Sequence, residues 1–169
     1  MKITKWNEKV SAILDTMLEK DDAVYCNRDD GVVFANKQGT FAMFCPEHQV
    51  WTVKPFPVGI EAQRKNALSA IWDKTIQSDS KLADSTEIGT LIQHGNSKRK
   101  VRKFNNDYLG LSVYVQERFL RQFPANTLYY VSGRNKPVIA GIWENDRLYV
   151  IGFVLPIMVA CDYHFIPAV

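Results

Sequence analysis

The chain has only three cysteines in its 169 residues, Cys26, Cys45 and Cys161. Three thiols cannot all pair, and a domain of this length buries enough surface to fold without staples. That argues for a reducing compartment rather than a disulfide scaffold. Long apolar runs are missing as well. The longest, around Val150 to Ala160, is interrupted by Gly152 and Pro156 and falls well short of the roughly 20 residues that span a bilayer. The opening residues, MKITKWNEKV, hold no apolar stretch of signal length. No membrane partner is expected, and the expected location is cytoplasmic. There is no G-x-S-x-G elbow, no phosphate-cradling glycine loop and no H-E-x-x-H. Asp21-Asp22 and Asp29-Asp30 are paired carboxylates, but turns explain them. Neither an enzyme nor a cofactor is expected. Charge of one sign is scarce too: 21 Lys and Arg stand against 18 Asp and Glu, a net charge of +3. Affinity for nucleic acid would have to come from local concentration of charge, not from the total.

What is present is an ordinary globular composition, 46% hydrophobic and 23% charged, which fits one domain over residues 1–169. Lys2 to Thr4 reads as a short strand. Trp6, Val10, Ile13, Leu14, Met17 and Leu18 follow the helical period, giving a helix over about 7–20 with Asn7 as N-cap and Asp21-Asp22 as its end. Strands are predicted at Ala23 to Cys26, Val32 to Ala35 and Thr40 to Phe44, separated by turns at Arg28 to Gly31 and Asn36 to Gly39. Gln49 to Lys54 is a fourth candidate, before Pro55, Pro57 and Gly59 break the pattern. Ile60 to Gln77 reads as a second helix with Ala67, Leu68, Ile71, Trp72 and Ile76 on one face. Ser78 to Thr86 reads as an exposed loop and Ile88 to His94 as a strand, with a turn at Gly95-Asn96. Leu111, Val115, Phe119 and Phe123 recur every four residues, which predicts an amphipathic helix within Phe104 to Phe123, stopped by Pro124. Leu128 to Val131, Pro137 to Trp143 and Leu148 to Leu155 are strands by composition.

The expected fold class is therefore α+β, with helices packed on antiparallel sheet. Each end of the chain reads as a helix followed by three short strands, so the pattern divides into pseudo-halves at about 1–54 and 87–160. A helix-loop segment, 55–86, joins them, with its helical insertion at about 60–77. This pattern resembles a single domain of the DNA sliding clamps, the polymerase processivity rings, which are built from two β-α-β-β-β halves. The residues that carry the resemblance are KIT with the helix and AVYCNRDDGVVFANKQGTFAMF in the first half. In the second they are Tyr114-Val115 to Phe123, Leu128 to Val131, Lys136-Pro137-Val138-Ile139, and Leu148 through Leu155-Pro156-Ile157. The resemblance implies a non-catalytic accessory protein that binds DNA, replication proteins or further copies of itself, with Arg118 and Arg121 on a helix facing the nucleic acid. The first helix departs from the pattern, because Lys9 and Lys20 are set against Glu8, Asp15 and Glu19. The alternative is a protein-interaction or regulatory domain that binds no nucleic acid.

Two constellations stand out in their own right. Lys98, Arg99, Lys100, Arg102 and Lys103 place five cations in six residues. Phosphates binding there would release counterions, giving sequence-independent and salt-sensitive affinity, and Phe104 and Tyr108 follow as candidate stacking partners. A solvated loop or a guarded strand edge would use the same residues. The second constellation is a pair of Cys-x-x-His steps, Cys45 with His48 and Cys161 with His164, which together make up a candidate tetrahedral zinc set. Buried small thiols and surface histidines would leave the same pattern. Trp51, Trp72, Trp143, Tyr149 and Phe153 are expected to fill the core. The apolar tail Tyr163 to Val169 is expected to dock on its own domain.

Overall fold

The structure is a computed structural model and describes residues 1–51, 60–95 and 97–169. It is α+β, with helices packed on antiparallel sheet. Helix α1 (Ile3–Glu19) leads into strands β1 (Val24–Arg28), β2 (Gly31–Ala35) and β3 (Phe41–Pro46), followed by helix α2 (Ile60–Ile76). Then come β4 (Lys81–Leu82), β5 (Ser85–Gln93), β6 (Ser97–Asn106), β7 (Leu111–Gln116) and a single turn of helix, α3 (Glu117–Leu120). The chain closes with β8 (Leu128–Val131), β9 (Val138–Glu144), β10 (Arg147–Val154) and β11 (His164–Pro167). Seven strands form one sheet in the order β1-β2-β3-β10-β9-β8-β4, and four form a second in the order β11-β5-β6-β7.

Strand β2 explains the layering. All five of its residues, GVVFA, are buried. Val32 and Phe34 enter the main core, while Val33 and Ala35 point to a second cluster on the opposite face. Alternation along a strand sends neighbours to opposite faces, so an unbroken apolar strand marks a sheet covered on both sides. One cover is α2, whose Leu68 and Trp72 pack on Val33, Ala42 and Phe153. The other cover comprises α1 and the four-stranded sheet. Trp6, Val10, Leu14 and Met17 of α1 meet Phe104, Val113 and Val115 of β6 and β7 in one core. Trp6 is fully buried, with its ring centre 5.9 Å from that of Phe123.

Several sequence expectations need correction. Lys2 to Thr4 forms no strand, because α1 already begins at Ile3 and Asn7 lies inside it. The Ile3 N–H donates to the Glu144 carboxylate at 2.8 Å, a cap supplied by β9 from 141 residues away. At the other end, Asp21 has φ 52° and the Asp22 N–H returns to the Met17 carbonyl at 2.9 Å, a Schellman closure that ends the helix where expected. The amino half thus runs α-β-β-β without a leading strand.

The helix expected within Phe104 to Phe123 shrinks to the four residues of α3. Asn106 to Gly110 forms a turn instead. The Leu109 N–H donates to the Asn106 side chain at 2.7 Å and Gly110 takes φ 62°, a left-handed conformation that interrupts any helix. Leu111 to Gln116 is then a strand, so the carboxyl half has no long helix between its strands. On α2, Leu68 and Trp72 face inward, but Ile71 and Ile76 are exposed. Trp51 and Trp143 are exposed and Tyr149 is half-buried, whereas Trp72 and Phe153 fill the core as expected. The segment Ser78 to Thr86 carries β4 and the start of β5. Gln49 to Trp51 is not strand, and the rest of that candidate, 52–54, lies outside the described residues, as does Asn96 of the expected turn.

The carboxyl tail docks on its own domain. Strand β11 pairs with β5 from His164↔Ile92 to Pro167↔Gly89. Gly89 is required there, since a Cβ at that position would overlap the Ile166 carbonyl oxygen and the Phe165 ring. Gly89→Ala should therefore release β11 while the rest of the sheet persists. Amide exchange at residues 164–167 should accelerate at least about tenfold, with stability falling by about 1–3 kcal/mol. Unchanged protection of those amides would show that β11 does not depend on the close approach at Gly89.

Candidate nucleic-acid interface

Strand β6 carries the basic run. It pairs with β5 over all but its last residue, from Gln93↔Ser97 to Ser85↔Asn105. On its other side β7 reaches only from Asn106↔Leu111 to Val101↔Gln116. Ser97 to Lys100 therefore present an open strand edge just where β7 ends and α3 turns away. Alternation places Lys98, Lys100 and Arg102 on the face that carries Phe104 into the core, and Arg99 and Lys103 on the face of Val101. A cleft of about 340 Å³ straddles the open edge. It is lined by Lys98, Arg99, Lys100, Gln116, Arg118 and Arg121.

Five of the seven predicted phosphate-binding residues thus meet in one place. All five are exposed. Among the described residues, none of the five has a carboxylate within ion-pairing distance. The other two, Arg102 and Lys103, are half-buried and do not line the cleft. Arg102 forms a two-pronged pair with Glu117, Nε to Oε2 at 3.0 Å and Nη2 to Oε1 at 2.7 Å. Its guanidinium also lies 5.8 Å from the centre of the Tyr129 ring. Burial pushes the Tyr129 hydroxyl up from its usual 10.0, and Arg102 partly offsets that rise. The Lys103 ammonium sits 5.2 Å from the centre of the Phe165 ring of β11. Of the two proposed stacking aromatics, Phe104 is fully buried and so unavailable. Tyr108 is exposed, but it lies beyond the far end of β6, on the order of 30 Å along the strand from Lys98.

No family model, curated protein or solved structure matches the chain.

A larger groove of about 820 Å³ adjoins the cleft, sharing Arg118 and Arg121 with it. Its far wall is α1 with its C-cap, which contribute Lys9 and Lys20 respectively. The sequence suggests that Glu8, Asp15 and Glu19 would cancel those lysines. The folded helix separates them. At about 100° per residue the three acids centre about 110° around the helix from the groove face, and none of them lines the groove. A helical-wheel count would have shown this. The contribution of Gln116 depends on where β7 stops and had no signal in the sequence.

The zinc candidates do not assemble. Among the described residues no group of three or more His, Cys, Asp or Glu side chains is placed to hold a metal. Cys45 is buried in the main core, His48 is half-buried after β3, and Cys161 and His164 are exposed beside the small sheet. Burial, with the Asp15 carboxylate adding to it, pushes the Cys45 thiol from 9.0 up to about 11. Cys45 thus behaves as a small apolar core residue.

Two expectations follow from this chemistry. Between about pH 9 and 11 the folded chain keeps a Cys45 proton that the unfolded chain has lost, so stability is full below pH 9 and falls as pH rises through that window. Urea midpoints from pH 8 to 11 should fall more steeply for the native chain than for Cys45→Ala, and equal slopes would remove Cys45 as the titrating group. At the ion pair, the Glu117 side chain is 9% exposed and that of Arg102 23%. Glu117→Ala leaves a partly buried guanidinium unpaired and should cost about 3 kcal/mol in urea unfolding, whereas Arg102→Met with Glu117→Leu should lie within about 1 kcal/mol of the native chain. A cost below about 0.5 kcal/mol for Glu117→Ala would show that the pair is dispensable.

Proposed function

We propose that this protein binds nucleic acid, as a non-catalytic accessory of the kind the clamp resemblance suggests, through the cleft at the open edge of β6. The single observation that supports the reading is the set of five exposed cations, Lys98, Arg99, Lys100, Arg118 and Arg121, gathered around one cleft without a carboxylate partner among the described residues. Like charges crowded together raise the energy of the folded state, and an anion with regularly spaced charges relieves that cost. A phosphate backbone has that form, and each phosphate neutralised returns a counterion to solution. The unpaired edge of Ser97 to Lys100 adds backbone N–H donors to the same cleft.

The reading rests on the cleft and does not require a ring. Its cations come from a strand and from the short α3, not from a face of long helices. Replication proteins and further copies of this chain are the partners that the clamp resemblance adds. Among the described residues no helix is long and apolar enough to cross a membrane.

The test is a salt series. Affinity of the native chain for short oligonucleotides should fall linearly in log–log form. Lys98→Glu with Lys100→Glu and Arg121→Glu should reduce the magnitude of that slope by about 3 and weaken binding at least about a hundredfold at low salt. Arg102 is left untouched, because its loss would disturb the fold. Thermal melting should show the triple variant folded. An unchanged slope in a folded triple variant would remove the cleft as the site. Failure of the native chain to bind single- or double-stranded DNA at low salt would favour the alternative, a domain that interacts with protein only.

A further inference from the structure

The groove between α1 and α3 differs in chemistry from the cleft it adjoins. Ile13, Met17, Phe41 and Phe119 give it an apolar floor. Lys9 and Lys20 stand on one rim, Arg118 and Arg121 on the other. Among the described residues Asp22 is the one acidic residue lining it, and its carboxylate already accepts the Lys37 N–H at 3.1 Å. Phe119 is half-buried, with its ring centre 6.0 Å from that of Phe41. The Arg118 guanidinium lies 4.6 Å from the centre of the Phe119 ring. Arg118, which lines both recesses, thereby sits over the ring of Phe119, which lines the groove.

A duplex would use the rims and leave this floor idle, because its bases are stacked inside and it offers only phosphates to such a surface. A single strand uses both, since its bases are free to lie on apolar and aromatic surface while its phosphates meet the cations. An acidic amphipathic helix would also match an apolar floor with basic rims. It would not account for the continuation of uncompensated cations past Arg118 and Arg121 onto the open edge of β6. A chain of phosphates does account for it, because it needs cations along its whole path. We infer that the groove is the continuation of the cleft and that the two together hold single-stranded nucleic acid in preference to duplex, with at least one base stacked at Arg118 and Phe119. This rests on the phosphate-binding reading and adds to it the class of strand, the path and the stacking position.

The test is fluorescence anisotropy on the full chain with labelled single strands of about 12 nucleotides and duplexes of the same length at matched salt. The native chain should prefer the single strand by about tenfold. Phe119→Leu keeps the apolar volume but removes the ring, and should lower single-strand affinity several-fold, a larger loss than any it causes for duplex. Lys9→Glu with Lys20→Glu changes only exposed side chains and should weaken the single strand at least about tenfold. Its effect on duplex should be smaller than that of the β6 substitutions. Equal affinity for both forms, with no loss from Phe119→Leu, would overturn the single-strand assignment while leaving phosphate binding at the cleft intact. Absence of binding to either form would overturn both. A synthetic acidic amphipathic peptide that binds the native chain and is lost in Lys9→Glu with Lys20→Glu, with no oligonucleotide bound, would reassign the groove to a protein helix.

Discussion

The ion pair between Arg102 and Glu117 is the contact on which the basic surface depends. Glu117 is the first residue of α3, placed immediately after β7 ends, and Arg102 is the fourth of the five cations in the basic run on β6. Two hydrogen bonds of 3.0 and 2.7 Å tie the start of α3 to β6 and so place Arg118 and Arg121 beside Lys98 and Lys100. The pair also marks the limit of the core. On the same face of β6, Phe104 is fully buried on one side of Arg102, while Lys100 and Lys98 are exposed on the other. A charge at that boundary cannot be left unpaired, and a carboxylate from the adjoining element satisfies it. Charged pairs gain little net stability over an apolar pair of the same volume. The pair is thus best understood as fixing position, holding a helical turn too short to hold itself.

The same geometry explains why the charges remain concentrated. Residues two apart on one face of a strand are about 7 Å apart, so each pair of neighbouring cations costs only about 0.6 kcal/mol in water. Five such charges together cost a few kcal/mol before screening, which the stability of one domain can absorb. The sheet beneath sustains it. Strand β6 is paired with β5 over all but its last residue, and β5 is itself held on its far side by β11. The side chains at the open edge are therefore carried on a backbone already fixed by hydrogen bonds.

Much of the architecture was legible in the sequence, and the failures have identifiable causes. The face of α1 follows directly from Trp6, Val10, Leu14 and Met17, which recur at helical spacing and are all buried. The β9–β10 hairpin could be read from Asn145-Asp146, which adopt φ 53° and 58°, as a two-residue turn between twisted strands requires. Leu111, Val115, Phe119 and Phe123 misled because a spacing of four fits both a helix, at just over one turn, and a strand, at two full alternations. The intervening Val113 and the Asn-Asn-Asp turn before it were the deciding signals, and they favour the strand. Trp51 and Trp143 were expected inside on hydrophobicity alone, and no local pattern distinguishes them from Trp72. The cap from Glu144 to Ile3 joins residues 141 apart and could not be seen locally. For the site, the basic run was visible, but its division was not. Lys98, Arg99 and Lys100 are free because β7 ends opposite Val101, and Arg102 and Lys103 are engaged because Glu117 and Phe165 reach them.

The arrangement differs from a basic tail in a way that matters for binding. A tail carries its cations on a chain that must be ordered when a ligand binds, and each long side chain immobilised costs about 0.5–1.5 kcal/mol in addition to the backbone. Here the backbone cost is met on folding, by two paired strands and a helical turn pinned through Glu117. Only the side-chain ordering remains. Salt screens exposed charges over about 8–10 Å, so the electrostatic part of the affinity is set by cations that lie close to the same phosphates. A fixed cluster around one cleft meets that condition, and the apolar floor next to it supplies contacts that salt does not weaken. On the proposed reading, a surface built in this way would hold a strand by charge at one end and by stacking at the other, and the two contributions would separate under changing salt.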